Sequence, residues 1–259
     1  MTATLAGAAT DLGLDLDLDP IDLAELVARA ELLTRVDRKY LVPVERAREL
    51  LRRVPDDTRV LEINGRREFG YRSTYLDTPD RTSYLDAGRS RRRRWKVRTR
   101  TYLETGTSWL EVKTRVARDQ SHKQRVEHVP VLTASSRLSV DGIGFVAAAL
   151  DLRTAETLQP LLTTRYRRST LYLPTSGTRA TVDVDLAWDS LSDHRVLERP
   201  GLAVIETKTG STPSEMDRLL WTHGHRPVRM SKYGLGMAAL NADLPRLKWF
   251  RALHHHLGL

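Results

Sequence analysis

The sequence predicts an α+β fold in which a meander or barrel of antiparallel strands is flanked by helices. Two patterns carry that expectation. From Phe69 to Val129 the runs YRSTYLD, WKVRTRTYL, SWLEVKTR and KQRVEHVPV follow one another with only turn-forming Asp, Pro, Gly and Thr between them. Connections this short suit antiparallel neighbours, because parallel pairs need crossovers of a dozen or more residues. After Pro213 the apolar residues recur at helical spacing instead.

In chain order, residues 1–20 repeat Leu and Asp and are acidic from Asp11 to Asp19, so they are expected to be a flexible lead-in to a domain spanning 21–259. Ile21 to Leu33 and Val44 to Val54 have helical spacing. Between them RVDRKYLV alternates, with Asp37 and Lys39 on one strand face and Val36, Arg38 and Tyr40 on the other. No helical period is expected between Phe69 and Val129. Asp141 to Leu150 reads as a helix, and Leu162 to Leu173 and Arg179 to Ala187 read as strands around a Pro-Thr-Ser-Gly turn. Gly201 to Lys208 adds a strand, and Pro213 to His223, Ser231 to Leu240 and Leu244 to Leu257 add helices.

Lys and Arg number 42 against 33 Asp and Glu, a net charge of +9 that calls for an anionic partner. The absence of Cys excludes disulfides, thiolate catalysis and thiolate-bound zinc. No signal peptide is visible, and the longest apolar stretch, Gly144 to Leu150, is far short of the roughly 20 residues that span a bilayer. The expected location is cytoplasmic, with any membrane association through a membrane-protein partner. An aromatic content of 6% argues against a single-strand nucleic-acid binder.

The charge is arranged along strand faces. Arg94, Lys96, Arg98 and Arg100 share one face of their strand, as do Glu111, Lys113 and Arg115 of the next. Arg179, Thr181, Asp183 and Asp185 form another such face, and Glu206 with Lys208 a fourth. A solvated outer surface would also alternate. Solvent faces mix Thr, Ser, Gln, Lys and Glu, however, whereas Arg with a few carboxylates is the equipment for phosphates and divalent cations. A barrel can place such faces inward, with the apolar faces under covering helices. The basic run Arg89 to Arg94 reads mainly as a solvated loop, and His254 to His256 as a solvated tail.

Eight motifs in order, RVDRKYLV, YRSTYLDTPD, VRTR, EVKT with KQR, TRYRR, TRATVDVDL, VIETKTG and RMSKYGLG, resemble the polyphosphate polymerase domain of the VTC type, in the triphosphate tunnel (CYTH-like) superfamily. The resemblance spans roughly Thr34 to Leu240. It implies an eight-stranded antiparallel β-barrel, the triphosphate tunnel, with Mn²⁺ or Mg²⁺ held by carboxylates. It also implies that Lys39, Arg98, Arg100, Lys113, Lys123, Arg165, Arg179 and Lys232 bind phosphate, with Arg229 and Ser231 beside the last. Glu206 is implied as the principal metal ligand, with Asp37, Glu111, Asp183 and Asp185 ranked below it. One departure is Thr163, where the family often has Tyr.

The implied activity is transfer of the γ-phosphate of ATP to a growing inorganic polyphosphate chain. The alternatives are a metal-dependent tripolyphosphatase or nucleoside triphosphatase, and a non-catalytic polyphosphate-binding subunit. Yeast-type assemblies join this domain to a phosphate-sensing SPX domain and a membrane segment. Neither is visible in this sequence, so a catalytic module by itself is expected.

Overall fold

In a computed structural model of the chain, residues 18–29, 36–115 and 121–259 are described. The chain forms two compact units. The first comprises the residues up to Phe69 together with Tyr166–Leu186 and Arg199–Val228, and the second comprises Gly70–Arg165, Ala187–Glu198 and Arg229–Leu259. Most of the expected lead-in, residues 1–17, lies outside the described residues, while Asp19 and Pro20 belong to a short strand, β1 (Asp19–Ile21).

In the first unit, β2 (Val36–Pro43) pairs antiparallel with β11 (Leu202–Thr209), and β11 pairs antiparallel with β9 (Thr178–Ser190). The long strand β8 (Gln159–Leu173) continues the sheet beside β9. The short strand β3 (Arg59–Leu61) pairs with β1 on one side and β8 on the other. Alternation explains the core: Tyr40, Val42, Val182, Val184, Ala203 and Ile205 all turn to the side covered by α2 (Val44–Leu51) and α6 (Glu215–Thr222). Of the helix expected at Ile21 to Leu33, α1 (Leu23–Arg29) is the described part; Ile21 belongs to β1, and residues 30–33 lie outside the described ones.

The second unit carries β4 (Phe69–Asp77), β5 (Arg94–Tyr102), β6 (Ser108–Arg115) and β7 (Ser121–Glu127), consecutive antiparallel neighbours as the short connections require, with β4 next to β8. Val97, Leu110 and Val112 pack under α4 (Val140–Ala149) and α5 (Leu152–Thr157). The eight antiparallel strands and flanking helices of the predicted fold are thus present. Among the described residues β2 and β7 are sheet edges, each with one partner, so hydrogen bonds do not close the sheet.

One helix breaks the run of strands where none was expected, α3 (Thr82–Gly88). It is too short to show a helical period. Its start is satisfied from outside: the Asp77 carboxylate accepts from the backbone N–H groups of Ser83 and Tyr84, both at 2.9 Å. The C-terminal stretch expected as one helix from Leu244 is instead a 3₁₀ turn (Leu247–Trp249) running into helical turns through Leu257. The three His residues lie in that ordered segment rather than in a loose tail.

A single buried carboxylate fastens the first unit. Asp217 accepts from the Tyr40 hydroxyl at 2.6 Å, the Thr207 hydroxyl at 2.7 Å and the Ser214 N–H at 2.9 Å, and completes the capping box of α6. Asp217→Ala strands these donors in the core and should lower stability by about 2–4 kcal/mol. Urea unfolding of the variant measures this, and a loss under about 0.5 kcal/mol, the range of a neutral surface change, would contradict it.

Candidate functional site

The ionic faces read from the sequence become two side-chain clusters, one in each unit. In the first unit the strand register sets Glu206 directly between Lys39 on β2 and Thr181 on β9, and Lys208 between Asp37 and Arg179. Partners opposite one another share a face, so these six side chains converge. Glu206 Oε1 lies 3.4 Å from Lys39 Nζ and 3.2 Å from Lys208 Nζ. Arg168 adds a guanidinium, donating from Nε and Nη2 to both oxygens of Asp183 at 2.5 and 2.8 Å.

Burial pushes the Lys208 ammonium down to about 8. Glu206 and Asp37 resist that shift, while Arg168 and Arg179 reinforce it. Arg168 goes the other way: burial alone would lower it, but Asp183, Tyr166 and Glu206 hold it well above the ordinary guanidinium value.

Asp185 does not continue the alternation. Its φ of +52 puts a left-handed residue inside β9, a conformation Asp tolerates, and its carboxylate takes Arg167 at 2.6 Å. Arg167 is also paired with Glu68.

In the second unit β4 to β7 build a ladder. One rung runs Tyr75, Arg98, Glu111, Arg125; the next runs Lys96, Lys113, Lys123; beyond it Arg94 faces Arg115. Glu111, 3% exposed, accepts from Arg98 Nε at 2.7 Å and Lys123 Nζ at 2.6 Å, with Arg100 Nε at 3.9 Å. Burial would raise its pKa, but Arg98, Arg100 and Lys123 together overcome that and hold it far below the usual carboxylate range.

Tyr75 also sits on this face. Arg98 Nη1 donates to its hydroxyl at 3.1 Å, and the ring stacks on Tyr233 at 5.0 Å. Tyr233 belongs to α7 (Lys232–Leu240) and donates to Asp77 at 2.6 Å. Ser231, expected to touch phosphate, caps α7 by accepting from the Gly234 N–H at 3.1 Å, which sets Lys232 in the first turn of the helix.

Lys39, Asp37, Arg179, Asp183 and Glu206 therefore gather in the first unit, and Arg98, Arg100, Glu111, Lys113 and Lys123 in the second. Arg165 is held by Asp189 at 3.0 Å and approached by Glu198 at 3.9 Å. The TRYRR arginine in the first-unit cluster is Arg168, whose role was not assigned from sequence. Lys208, Lys96 and Arg115 were visible in the alternation but given no role, and Lys248, beside Arg94, Arg115 and Arg229, gave no sequence signal.

Among the described residues no three carboxylate or imidazole side chains converge as a metal cage. The donor set instead fits a cation held jointly by protein and ligand. Mg²⁺ characteristically takes one or two carboxylates plus phosphate oxygens. Glu206 is 15% exposed, and the Thr181 hydroxyl opposite it is buried with no hydrogen bond.

The strand architecture and cationic faces define a triphosphate tunnel (CYTH-like) fold. The VTC domain model matches residues 34–241, well over half of the sequence, and the chain belongs to that family. Its fold is similar to that of a candidate adenylyl cyclase from Hippeastrum, HpAC1, described as having a dominant triphosphatase activity, with 15% identity and a TM-score of 0.50 over 83% of this chain and 99% of that one. The PH1819 protein of Pyrococcus horikoshii matches with 14% identity and a TM-score of 0.45 over 79% of this chain and 99% of its own. A candidate adenylate cyclase from Vibrio parahaemolyticus matches with 14% identity and a TM-score of 0.39 over 73% of this chain and 86% of its own. No curated protein matches the sequence. No helix among the described residues is long and apolar enough to cross a membrane.

Two predictions follow from the carboxylate and the lysine. Because the folded Glu111 pKa lies below its ordinary 4.5, its stabilisation is present above that pH and is lost as pH falls through the folded value. Glu111→Gln should cost roughly 1–3 kcal/mol at neutral pH, discounted for the part-solvated Lys123, and should flatten the loss of stability in acid. Urea midpoints at neutral and acid pH decide this, and parallel curves for the two proteins would contradict it. For Lys208 the folded pKa is depressed from 10.5 to about 8, so across that window the unfolded chain holds a proton the folded chain has released. Stability gained from this site therefore rises with pH between about 8 and 10.5, and Lys208→Met should remove that rise in a melting-temperature series.

Proposed function

We propose that the protein is a metal-dependent phosphotransferase that moves the γ-phosphate of ATP onto inorganic polyphosphate. The observation that carries this reading is Glu206 set between Lys39 and Lys208, a carboxylate placed among cations that would grip phosphoryl oxygens. Membership of the VTC domain family supports it.

Phosphoryl transfer leaves little covalent work for a protein, so positioning and charge neutralisation carry the catalysis. In the first unit Lys39, Arg168, Arg179 and Lys208 neutralise phosphoryl oxygens beside Glu206, and in the second unit Arg98, Arg100, Lys113 and Lys123 present a cationic face of their own to phosphate. A terminal polyphosphate oxygen attacks the γ-phosphorus, the new P–O bond forms as the bond to the β-phosphate oxygen breaks, and ADP departs. Glu206, together with phosphate oxygens, would hold Mn²⁺ or Mg²⁺, which would supply further neutralisation of the developing charge. Asp37 and Asp183 hold the neighbouring cations in place.

The rival reading is a tunnel triphosphatase in which water is the acceptor, and the activity described for HpAC1 favours it. A membrane-protein partner and a cytoplasmic location remain part of the proposal. Incubation with ATP and Mn²⁺ or Mg²⁺, followed by separation of products, tests it. ADP with polyphosphate in matching amounts is expected, and Glu206→Gln should lower the rate at least 100-fold, in line with loss of a principal charge-stabilising group. ADP with only free phosphate would show hydrolysis. Tight polyphosphate binding with neither product would show a binding subunit.

A further inference from the structure

The cationic ladder of the second unit extends past the positions that the family resemblance marks. Its marked members end at Lys113 and Lys123, opposite Lys96. One rung further Arg94 faces Arg115, and the chain before Arg94 continues as exposed Arg91, Arg92 and Arg93.

Lys248 joins this end from the C-terminal segment, beyond the residues matched by the family model. Its position is fixed from both sides. Leu247 packs on Gly88, where a Cβ would collide with the leucine side chain. Trp249 packs on Gly234, where a Cβ would meet the indole ring. The Lys248 ammonium lies 4.6 Å from the centre of the Trp249 ring. Burial, then the charges of Arg94, Arg229 and Arg115, pushes it down to about 8. Arg94 is shifted down likewise, by burial and Arg115.

We infer that Arg94, Arg115 and Lys248, joined by the already marked Arg229, form an accessory phosphate subsite that binds phosphoryl groups of an inorganic polyphosphate lying beyond the three nearest the ladder's marked residues. Length separates a triphosphate from a longer chain on this row. From Arg94 to Arg100 the strand spans six residue steps, about 20 Å. The spacing of neighbouring phosphorus atoms is less than the rise of one strand residue, so a triphosphate covers only part of that row. A long chain can follow the row to its end, where these four cations await further phosphates. The inference rests on the proposed polyphosphate chemistry and adds a preference for long chains.

Binding titrations at fixed ionic strength, with tripolyphosphate and with long-chain polyphosphate, test it. Lys248→Gln should weaken long-chain binding at least 5-fold and change tripolyphosphate binding less than 2-fold, Arg94→Gln should act in the same way, and Lys248→Arg should retain wild-type binding. Equal losses for both ligands, or no loss for either, would overturn the inference. So would an equal loss with single-stranded RNA, since the site would then read charge alone. Wild-type protein that binds tripolyphosphate but long chains no more tightly sinks this inference alone. Wild-type protein that binds neither removes the proposed function as well.

Discussion

Placing cations opposite one another on neighbouring strands sets the terms for the rest of this molecule. Cross-strand partners lie about 5 Å apart, and at an effective dielectric of about 20 two like charges at that separation repel by roughly 3 kcal/mol. Lys96, Lys113 and Lys123 form such a row, and Arg94 with Arg115 another. The fold tolerates them because a few carboxylates sit among the cations: Glu111 is shared by Arg98, Lys123 and Arg100, and Glu206 by Lys39 and Lys208. Each carboxylate serves more than one cation, so both faces keep a surplus of positive charge. A polyanion removes that surplus, which couples ligand binding to stability.

Side chains on such a face would swing apart unless their strands and rings were held from behind. Asp217 does this for β2, whose Arg38 and Tyr40 reach it while Lys39 points the other way. Asp77 does it in the second unit, where it caps α3 and receives Tyr233, and Tyr233 in turn backs the ring of Tyr75 against Arg98. Neither aspartate touches the cationic clusters, yet each fixes a residue adjacent to one. The motifs RVDRKYLV and RMSKYGLG therefore each set a tyrosine that reaches an anchoring aspartate, Tyr40 or Tyr233, directly after a lysine, Lys39 or Lys232.

Much of this was legible because a strand has a period of two. The faces of β2, β5, β6 and β11 follow directly from alternation, and so do the shared face of Asp37 and Lys39 and that of the β5 arginines. Alternation fails where the backbone departs from extended geometry, as at Asp185 with its positive φ, or where an arginine run offers several choices, as at Arg165, Arg167 and Arg168. It is also silent on α3, stabilised by a carboxylate from the preceding strand, and on Lys248, set by contacts with Gly88 and Gly234 that are distant in sequence. Register decided the rest, since only pairing shows that Arg98 faces Glu111 whereas Lys96 faces Lys113.

The three central carboxylates differ in how readily they could exchange partners. Asp183 is fully buried and takes two short charged hydrogen bonds from Arg168, so drawing it toward a cation would strand a buried guanidinium. Glu111 is nearly as enclosed and is held by Arg98 and Lys123 at 2.7 and 2.6 Å. Glu206 is more exposed, and its lysines stand farther off, at 3.2 and 3.4 Å on flexible stems. Under the proposed function those lysines would turn to the oxygens of a triphosphate at little cost, leaving Glu206 able to hold a divalent cation. Lys39 and Lys208 are thus the easiest of these partners to displace, and the chemistry proposed for Glu206 depends on that looseness rather than on a preformed metal cage.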